Sequence, residues 1–381
     1  MKISCLIDSL NSGGAQRQLC MLAVGLKQAG FEMEIFTYHP LDFFRPLIEQ
    51  NDIQLQMVES GSKIQRIRAI RRAIRNSNPD IVISFLNTPN LLAELSGLPL
   101  RNFTLIVSER NMEYGGKTLR SLRRFLLHLL ADAVVTNSYA QAELIQERAP
   151  WLKSRLATIP NCVDLDRFRP APPNPVQHQE STRVLVLGRF EQQKNPLALL
   201  AALEILIGEY RRTDLVVDWY GNDFFIDGKP TTKSSLYLHL KEEIERRSLA
   251  GHFRLHPPER DVVQLYQSAT VLCLPSLHEG CSNVICEAMA CGIPVLASRV
   301  GDNALLVDDG VSGFIFSPDS PRDIADALVR FISLSPEDRM EMGRVSRNKA
   351  EANFSLDEFV AKYRGLFAKL KKAEHRYCSV E

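Results

Sequence analysis

The sequence predicts an α/β protein built from two doubly wound, Rossmann-like domains facing across a cleft. Short apolar runs alternate with longer amphipathic ones, the rhythm of a parallel sheet covered by helices on both faces. The rhythm stops at 166–182, DRFRPAPPNPVQHQEST, with prolines at 170, 172, 173 and 175. Such a segment neither continues a helix nor fills a central strand, so it reads as an interdomain linker. Beyond it the alternation restarts.

In the first half, strands are expected at 3–7, 33–37, 81–85, 104–108 and 133–136, and helices at 15–29, 63–76, 119–131 and 139–147. In the second half, strands are expected at 184–187, 216–220, 253–255, 271–274, 295–297 and 314–316. The helices there fall at 196–210, 235–248, 262–268 and 283–290. Two further helices, at 336–351 and 356–372, close the pattern. The domains are accordingly placed at 1–165 and 183–355, with 356–381 a C-terminal helix long enough to return to the first domain.

Composition narrows the function classes. The chain has 381 residues, 45% hydrophobic and 24% charged, with a net charge of +1. That gives no reason to expect nucleic acid as a partner. The eight cysteines include no C-x-x-C pair and sit in apolar runs, as reduced buried thiols do. Cys281, Cys286 and Cys291 are evenly spaced, but no histidine or acid cluster completes a tetrahedral metal set. The N-terminal stretch reads as a first strand, not a signal peptide, and no run of about 18 apolar residues is present. The expected location is cytoplasmic, with any membrane contact peripheral.

Three segments carry candidate chemistry. Gly13 and Gly14 stand between the first strand and the first helix, where backbone can approach a ligand and helix N–H groups favour an anion. Arg189 and Lys194, in GRFEQQKN, follow the first strand of the second domain. A guanidinium fork and an ammonium there suit a pyrophosphate. The third segment, PSLHEGCSNVICEAMACGIP, holds Glu279 and Glu287 with seven residues between them. Glu279 belongs to a loop with Gly280, and Glu287 to the helix begun near Ser282 and Asn283. Carboxylates there suit sugar and ribose hydroxyls, and the N–H groups of Ser282 and Asn283 suit phosphate.

At these residues the chain resembles the retaining glycosyltransferases of family 4, which have the GT-B fold. The Glu-x7-Glu motif with EAMACGIPV is the strongest sign, and GGAQRQ, IPNCVDLDRF, GRFEQQKN and FSLDEFVAKY match in order. The resemblance implies that Glu279 contacts the transferred sugar, Glu287 holds the ribose, and Arg189 and Lys194 bind the diphosphate. Gly13 and Gly14 would border the reaction centre, and Gly221 would lie near the nucleotide. The 1–165 domain becomes the acceptor side and 183–355 the nucleotide-sugar domain. The implied partners are a nucleotide-diphosphate sugar, with UDP favoured, and a saccharide or lipid-linked saccharide in surface-glycan assembly such as lipopolysaccharide. No metal and no cofactor are expected. The other readings weighed are an epimerase or phosphorylase on the same fold, and a non-catalytic nucleotide-sugar sensor.

Three departures bear on the site. Where many relatives carry a histidine, this chain has Ser108, Glu109, Arg110 and Asn111; the quartet, and Glu109 above all, is assigned the acceptor-side role, the other reading being a salt-bridged loop. Leu305 stands where a glutamate is usual. Asp164 and Asp166 imitate a metal-binding D-x-D in the segment that leads to the linker. Finally, Lys63, Arg66, Arg68, Arg71, Arg72 and Arg75 lie in a stretch free of acids, with Ile64, Ile67, Ile70 and Ile74 at helical spacing. That amphipathic helix, with Lys117, Arg120, Arg123 and Arg124 beyond it, points to an anionic membrane surface.

Overall fold

The computed structural model describes residues 1–110, 118–172, 181–221, 225–226, 229–230, 235–259 and 261–378. The chain divides into two compact units, Met1–Cys162 with Leu356–Glu381, and Val163–Ser355. The sequence reading sets the first boundary after 165; the units divide after Cys162, because Val163 and Phe168 are buried in the core of the second unit.

The strands of the first unit are β1 (Lys2–Leu6), β2 (Glu32–Thr37), β3 (Gln54–Met57), β4 (Ile81–Phe85), β5 (Thr104–Glu109), β6 (Ala133–Thr136) and β7 (Leu156–Thr158). They form one parallel sheet in the order β3-β2-β1-β4-β5-β6-β7. Its helices are α1 (Gly14–Gln28), α2 (Arg45–Gln50), α3 (Lys63–Ser77), α4 (Asn87–Ser96), α5 (Leu119–Leu127) and α6 (Tyr139–Arg148). Side chains of a strand alternate between faces. Ile3, Cys5, Ile83 and Ile106 pack toward α1, while Leu6, Val82, Leu105 and Val107 pack toward Ile70, Ile74, Phe125 and Ile145 of α3, α5 and α6. Burying each such aliphatic side chain is worth about 1.5–3 kcal/mol.

In the second unit the strands are β8 (Thr182–Leu187), β9 (Leu215–Tyr220), β10 (Phe225–Ile226), β11 (Lys229–Pro230), β12 (Phe253–His256), β13 (Val271–Leu274), β14 (Val295–Ser298) and β15 (Gly313–Phe316). Six of them form a parallel sheet in the order β12-β9-β8-β13-β14-β15, and β10 and β11 pair as a small antiparallel ribbon. The helices are α7 (Pro196–Gly208), α8 (Ser235–Arg246), α9 (Val262–Ser268), α10 (Asn283–Ala290), α11 (Asn303–Leu306), α12 (Pro321–Ile332) and α13 (Pro336–Asn353). Then α14 (Leu356–Cys378) returns to the first unit and packs on α1. Gly25 marks the crossing: a Cβ there would lie 2.4 Å from Val360 Cγ2.

Both domains thus have the parallel α/β architecture expected. The sequence reading omits β3, β7, β10, β11, α2, α4, α11 and α12. The edge strand β3, QLQM, is mostly exposed, and its two apolar residues, Leu55 and Met57, make too short an alternation to stand out. The omission of α12 has less excuse, because Ser320 caps it and Pro321 opens it, a standard start signal.

Candidate functional site

In the second unit the candidate residues gather at the carboxyl ends of β8, β9 and β13, where open α/β sheets bind ligands. Two loops meet there. Asn195, left-handed at φ 58°, donates from Nδ2 to Pro275 O at 3.2 Å and Pro318 O at 2.8 Å. Gln193 donates from Nε2 to His278 O at 2.9 Å, and Leu277 N donates to Gln193 O at 2.8 Å. These bonds fasten the 188–195 loop to the 275–279 loop. The result is that Lys194 Nζ lies 2.5 Å from Glu279 Oε1, both side chains largely buried. The sequence pairs these residues with different parts of a ligand; the structure shows that the two groups also touch each other.

Glu279 is held from beneath. Gly301 has φ +52°, and a Cβ on it would fall 2.0 Å from Glu279 O. Only glycine fits a left-handed residue pressed against another backbone in this way. Asp302 N donates to Gly280 O at 3.2 Å, fixing the next carbonyl. Ser282, itself buried, then starts α10, where no side chain caps the helix. The first N–H groups of a helix have no partner within it, so those of Asn283 and its neighbours present a positive end. Glu287 lies one turn along α10 and is buried, and Tyr266 Oη donates to its Oε2 at 2.9 Å. Burial first, and then the charge of Glu287, push the Cys291 thiol up to about 12.

Arg189 differs from Lys194. Its side chain is 66% exposed and pairs with Glu191 at 3.0 Å, a surface pair that holds it weakly. Gly221 follows β9 in contact with the same region: a Cβ there would lie 2.1 Å from Gly188 O, which also accepts from Trp219 Nε1 at 2.8 Å. Among the described residues there is no group of three or more His, Cys, Asp or Glu side chains placed to hold a metal. Asp164 Oδ1 instead accepts from Arg167 N at 3.0 Å. The seven described cysteines are free and buried.

In the first unit, Gly13 precedes α1 and Gly14 opens it. Beside them Gln16 Nε2 donates to Asp8 Oδ1 at 3.0 Å. The quartet after β5 needs correction. Strand alternation carries Glu109 onto the same face as Leu105 and Val107, toward α4 and α5, and its carboxylate is fully buried. There His128 Nε2 meets Glu109 Oε1 at 3.0 Å, and His128 Nδ1 meets Glu94 Oε1 at 2.5 Å. Arg124 Nε lies 3.5 Å from Glu109 Oε2. Ser108 is buried too, donating to Val135 O at 3.2 Å. Arg110 points to the opposite face, where its three nitrogens donate to Ser108 Oγ, Asn161 Oδ1 and Tyr363 Oη, with Phe85 beneath at 4.0 Å. These groups are engaged inside the unit, and Ser108 and Glu109 present no surface to an acceptor. Asn111 lies outside the described residues.

The sequence reading missed His128. Burial alone lowers its pKa, but the bonds and charges of Glu109 and Glu94 outweigh that and raise it to about 9. Burial raises Glu109, yet His128 and Arg124 together hold it below the ordinary carboxylate range. Glu94 stays above that range, because burial outweighs the pull of His128. The cluster is thus an imidazolium clasped between two buried carboxyl groups.

Comparison with known proteins gives the family and the fold. Residues 12–167 match the family model "Glycosyltransferase Family 4", and residues 181–333 match "Glycosyl transferases group 1". The chain belongs to glycosyltransferase family 4. This family-4 chain is 26% identical over 387 residues to a Campylobacter jejuni enzyme, GalNAc-alpha-(1->4)-GalNAc-alpha-(1->3)-diNAcBac-PP-undecaprenol alpha-1,4-N-acetyl-D-galactosaminyltransferase. That match covers 98% of this chain and all of the relative. It is 28% identical over 254 residues to D-inositol 3-phosphate glycosyltransferase of Corynebacterium jeikeium, covering 65% of this chain but only 59% of that protein. Three further D-inositol 3-phosphate glycosyltransferases are matched over 52%, 57% and 48% of their length. Among solved structures, Anabaena HepE in complex with UDP superposes with a TM-score of 0.82 at 18% identity, over 97% of this chain and all of that one. The family-4 chain therefore has the GT-B fold.

Proposed function

We propose that this family-4 chain transfers a hexose or N-acetylhexosamine from a UDP-sugar to a hydroxyl of a saccharide or lipid-linked saccharide, with retention, in surface-glycan assembly. The observation that carries the reading is the contact of Lys194 with Glu279 in the loop that leads into α10. A cation and its partner carboxylate stand at the loop that leads into the helix N-terminus. Lys194, the more exposed Arg189 and the α10 N–H groups receive the diphosphate. Glu279 takes sugar hydroxyls, and Glu287 holds the ribose from the wall where Tyr266 steadies it. Gly221 leaves room for the nucleotide.

In the transfer, the bond from C1 to the β-phosphate oxygen breaks and that oxygen leaves with the electron pair. The bond from the acceptor oxygen to C1 forms on the same face, and the acceptor proton passes to the departing phosphate. Negative charge grows on the leaving group, so fixed cations and helix N–H groups stabilise the transition state more than the ground state. HepE is known in complex with UDP, and the Campylobacter relative acts on a polyprenyl-linked saccharide; both support the choice of donor and acceptor. The alternative, a binding protein without catalysis, is separated by one assay. Thermal shift with UDP, GDP and ADP should select UDP, and incubation with UDP-sugars should release UDP slowly. Binding with no release of UDP, even with glycan acceptors present, would favour the sensor reading.

A further inference from the structure

The sequence draws attention to α3 as a membrane helix, but Ile70 and Ile74 of α3 are buried against the sheet. Ile64 of α3 is exposed, and a larger set of exposed apolar residues lies on α5. On α5 and the 3-10 turn after it, Leu119, Leu122, Leu126 and Leu129 are 62%, 42%, 48% and 41% exposed. Their spacings of three, four and three residues put them on one side of the helix. Ser121, Phe125 and His128 form the inward stripe, so the leucine band is a second apolar stripe, left half-exposed by the described residues. Trp151, 39% exposed, donates its indole N–H to Phe125 O at 3.3 Å and flanks the helix.

The charge of the surroundings selects the occupant. Together α3, α4 and α5 carry nine Lys and Arg residues and one acid, Glu94, and Glu94 is buried on His128. Lys63, Arg68, Arg72, Arg75, Arg120 and Arg123 are exposed. Helix α4 packs against both α3 and α5, so the three form one layer. A second copy of this face would set like charges against one another, which suppresses pairing. Leucines bordered by arginines and a tryptophan at the rim match the boundary between headgroups and acyl chains.

We propose that the α3–α4–α5 face is a monotopic docking surface that sinks the α5 leucines into an anionic bilayer, with the exposed arginines on lipid headgroups. This goes beyond the transfer reaction and does not depend on it. Binding therefore has two parts: an electrostatic one that salt screens and an apolar one that salt leaves intact.

The test uses the full chain with vesicles of phosphatidylcholine alone and of phosphatidylcholine mixed with phosphatidylglycerol, at low and high salt. Wild type should favour the mixed vesicles by about tenfold or more at low salt, and part of that binding should survive high salt. Leu122→Ser with Leu126→Ser should lower binding about tenfold and abolish the salt-resistant part. Arg120→Gln with Arg123→Gln should instead weaken the preference for anionic lipid. All four positions are exposed, so circular dichroism and Tm should stay put. Brominated acyl chains should quench Trp151, because the only other tryptophan, Trp219, is fully buried in the second unit. Equal binding to both vesicles, no binding, an unaffected leucine variant or no quenching would each overturn the proposal. So would a concentration-dependent dimer that the leucine variant dissolves.

Discussion

The clasped imidazolium makes a sharp prediction about pH. A histidine raised from its ordinary 6.5 to about 9 on folding stabilises the fold through the proton it retains. The gap corresponds to about 3 kcal/mol. The sign follows from the direction. Stabilisation is complete below about 6.5, where the unfolded histidine is also protonated, and is lost as pH rises through about 9. Glu109 has the opposite sign: its lowered pKa stabilises above the ordinary carboxylate range, and that contribution is lost as pH falls. The perturbation is His128→Gln, which keeps hydrogen-bonding capacity and removes the charge. The difference between wild type and variant should be about 3 kcal/mol near pH 6.5 and shrink toward zero above about pH 9. Comparing the two chains matters, because buried cysteines such as Cys273, pushed up to about 12, also erode stability at high pH and cancel in the difference. Urea unfolding of the full chain, followed through Trp151 in a Trp219→Phe background, isolates the first unit. A wild-type minus variant difference that does not change across this pH range would refute the argument, as would an imidazole signal titrating near 6.5 by NMR.

Four further outcomes follow from the two sites. Glu109→Gln should cost the first unit about 3 kcal/mol by unpairing buried charge while leaving KM for the donor unchanged, which urea unfolding and steady-state kinetics check together. Lys194→Met should weaken UDP binding by about 2–5 kcal/mol, read by calorimetry, and unchanged affinity would remove Lys194 from the donor site. Gly301→Ala puts a methyl 2.0 Å from Glu279 O at a positive φ; turnover should fall at least about tenfold, with a cost in stability of about 1–2 kcal/mol, measured by initial rates and Tm. Transfer should persist in excess EDTA if, as proposed, Arg189, Lys194 and the α10 N-terminus meet the diphosphate; loss restored by Mn²⁺ would return Asp164 and Asp166 to consideration.

Much of the fold is legible because parallel sheets write themselves as apolar runs: ISCLI, IVISF, VLVLG and VLCLP each sit in a central strand. The donor-site candidates were legible for a related reason. Phosphate- and sugar-binding groups tend to stand just after strands, so Arg189, Lys194 and Glu279 were singled out by position and Glu287 by the motif on the helix that follows. Their mutual arrangement was not. Nothing local says that Tyr266 reaches Glu287 from another helix, or that Gly301 supports Glu279 from the turn after β14. Glu109 shows the other limit. Read as a strand end, it looked like a cleft residue; read by alternation with Leu105 and Val107, it points inward. His128 hid inside FLLHLL, where spacing from Ser121 and Phe125 was its only signal.

The return of α14 to the first unit has a consequence for the birth of the protein. The core of that unit is discontinuous in sequence, with Phe359, Val360, Tyr363 and Phe367 filling the face of the sheet that bears α1. Those residues leave the ribosome only after the whole second unit has been made, an interval on the order of ten seconds or more. Through that time the groove around Gly25 stands open, Arg110 lacks its tyrosine partner, and an apolar surface of the nascent chain faces water. The second unit, contiguous in sequence, has no such wait. Synthesis order and folding order are therefore inverted: the half that emerges first is the half that closes last. A chain stalled before Leu356 would be the form most in need of a chaperone.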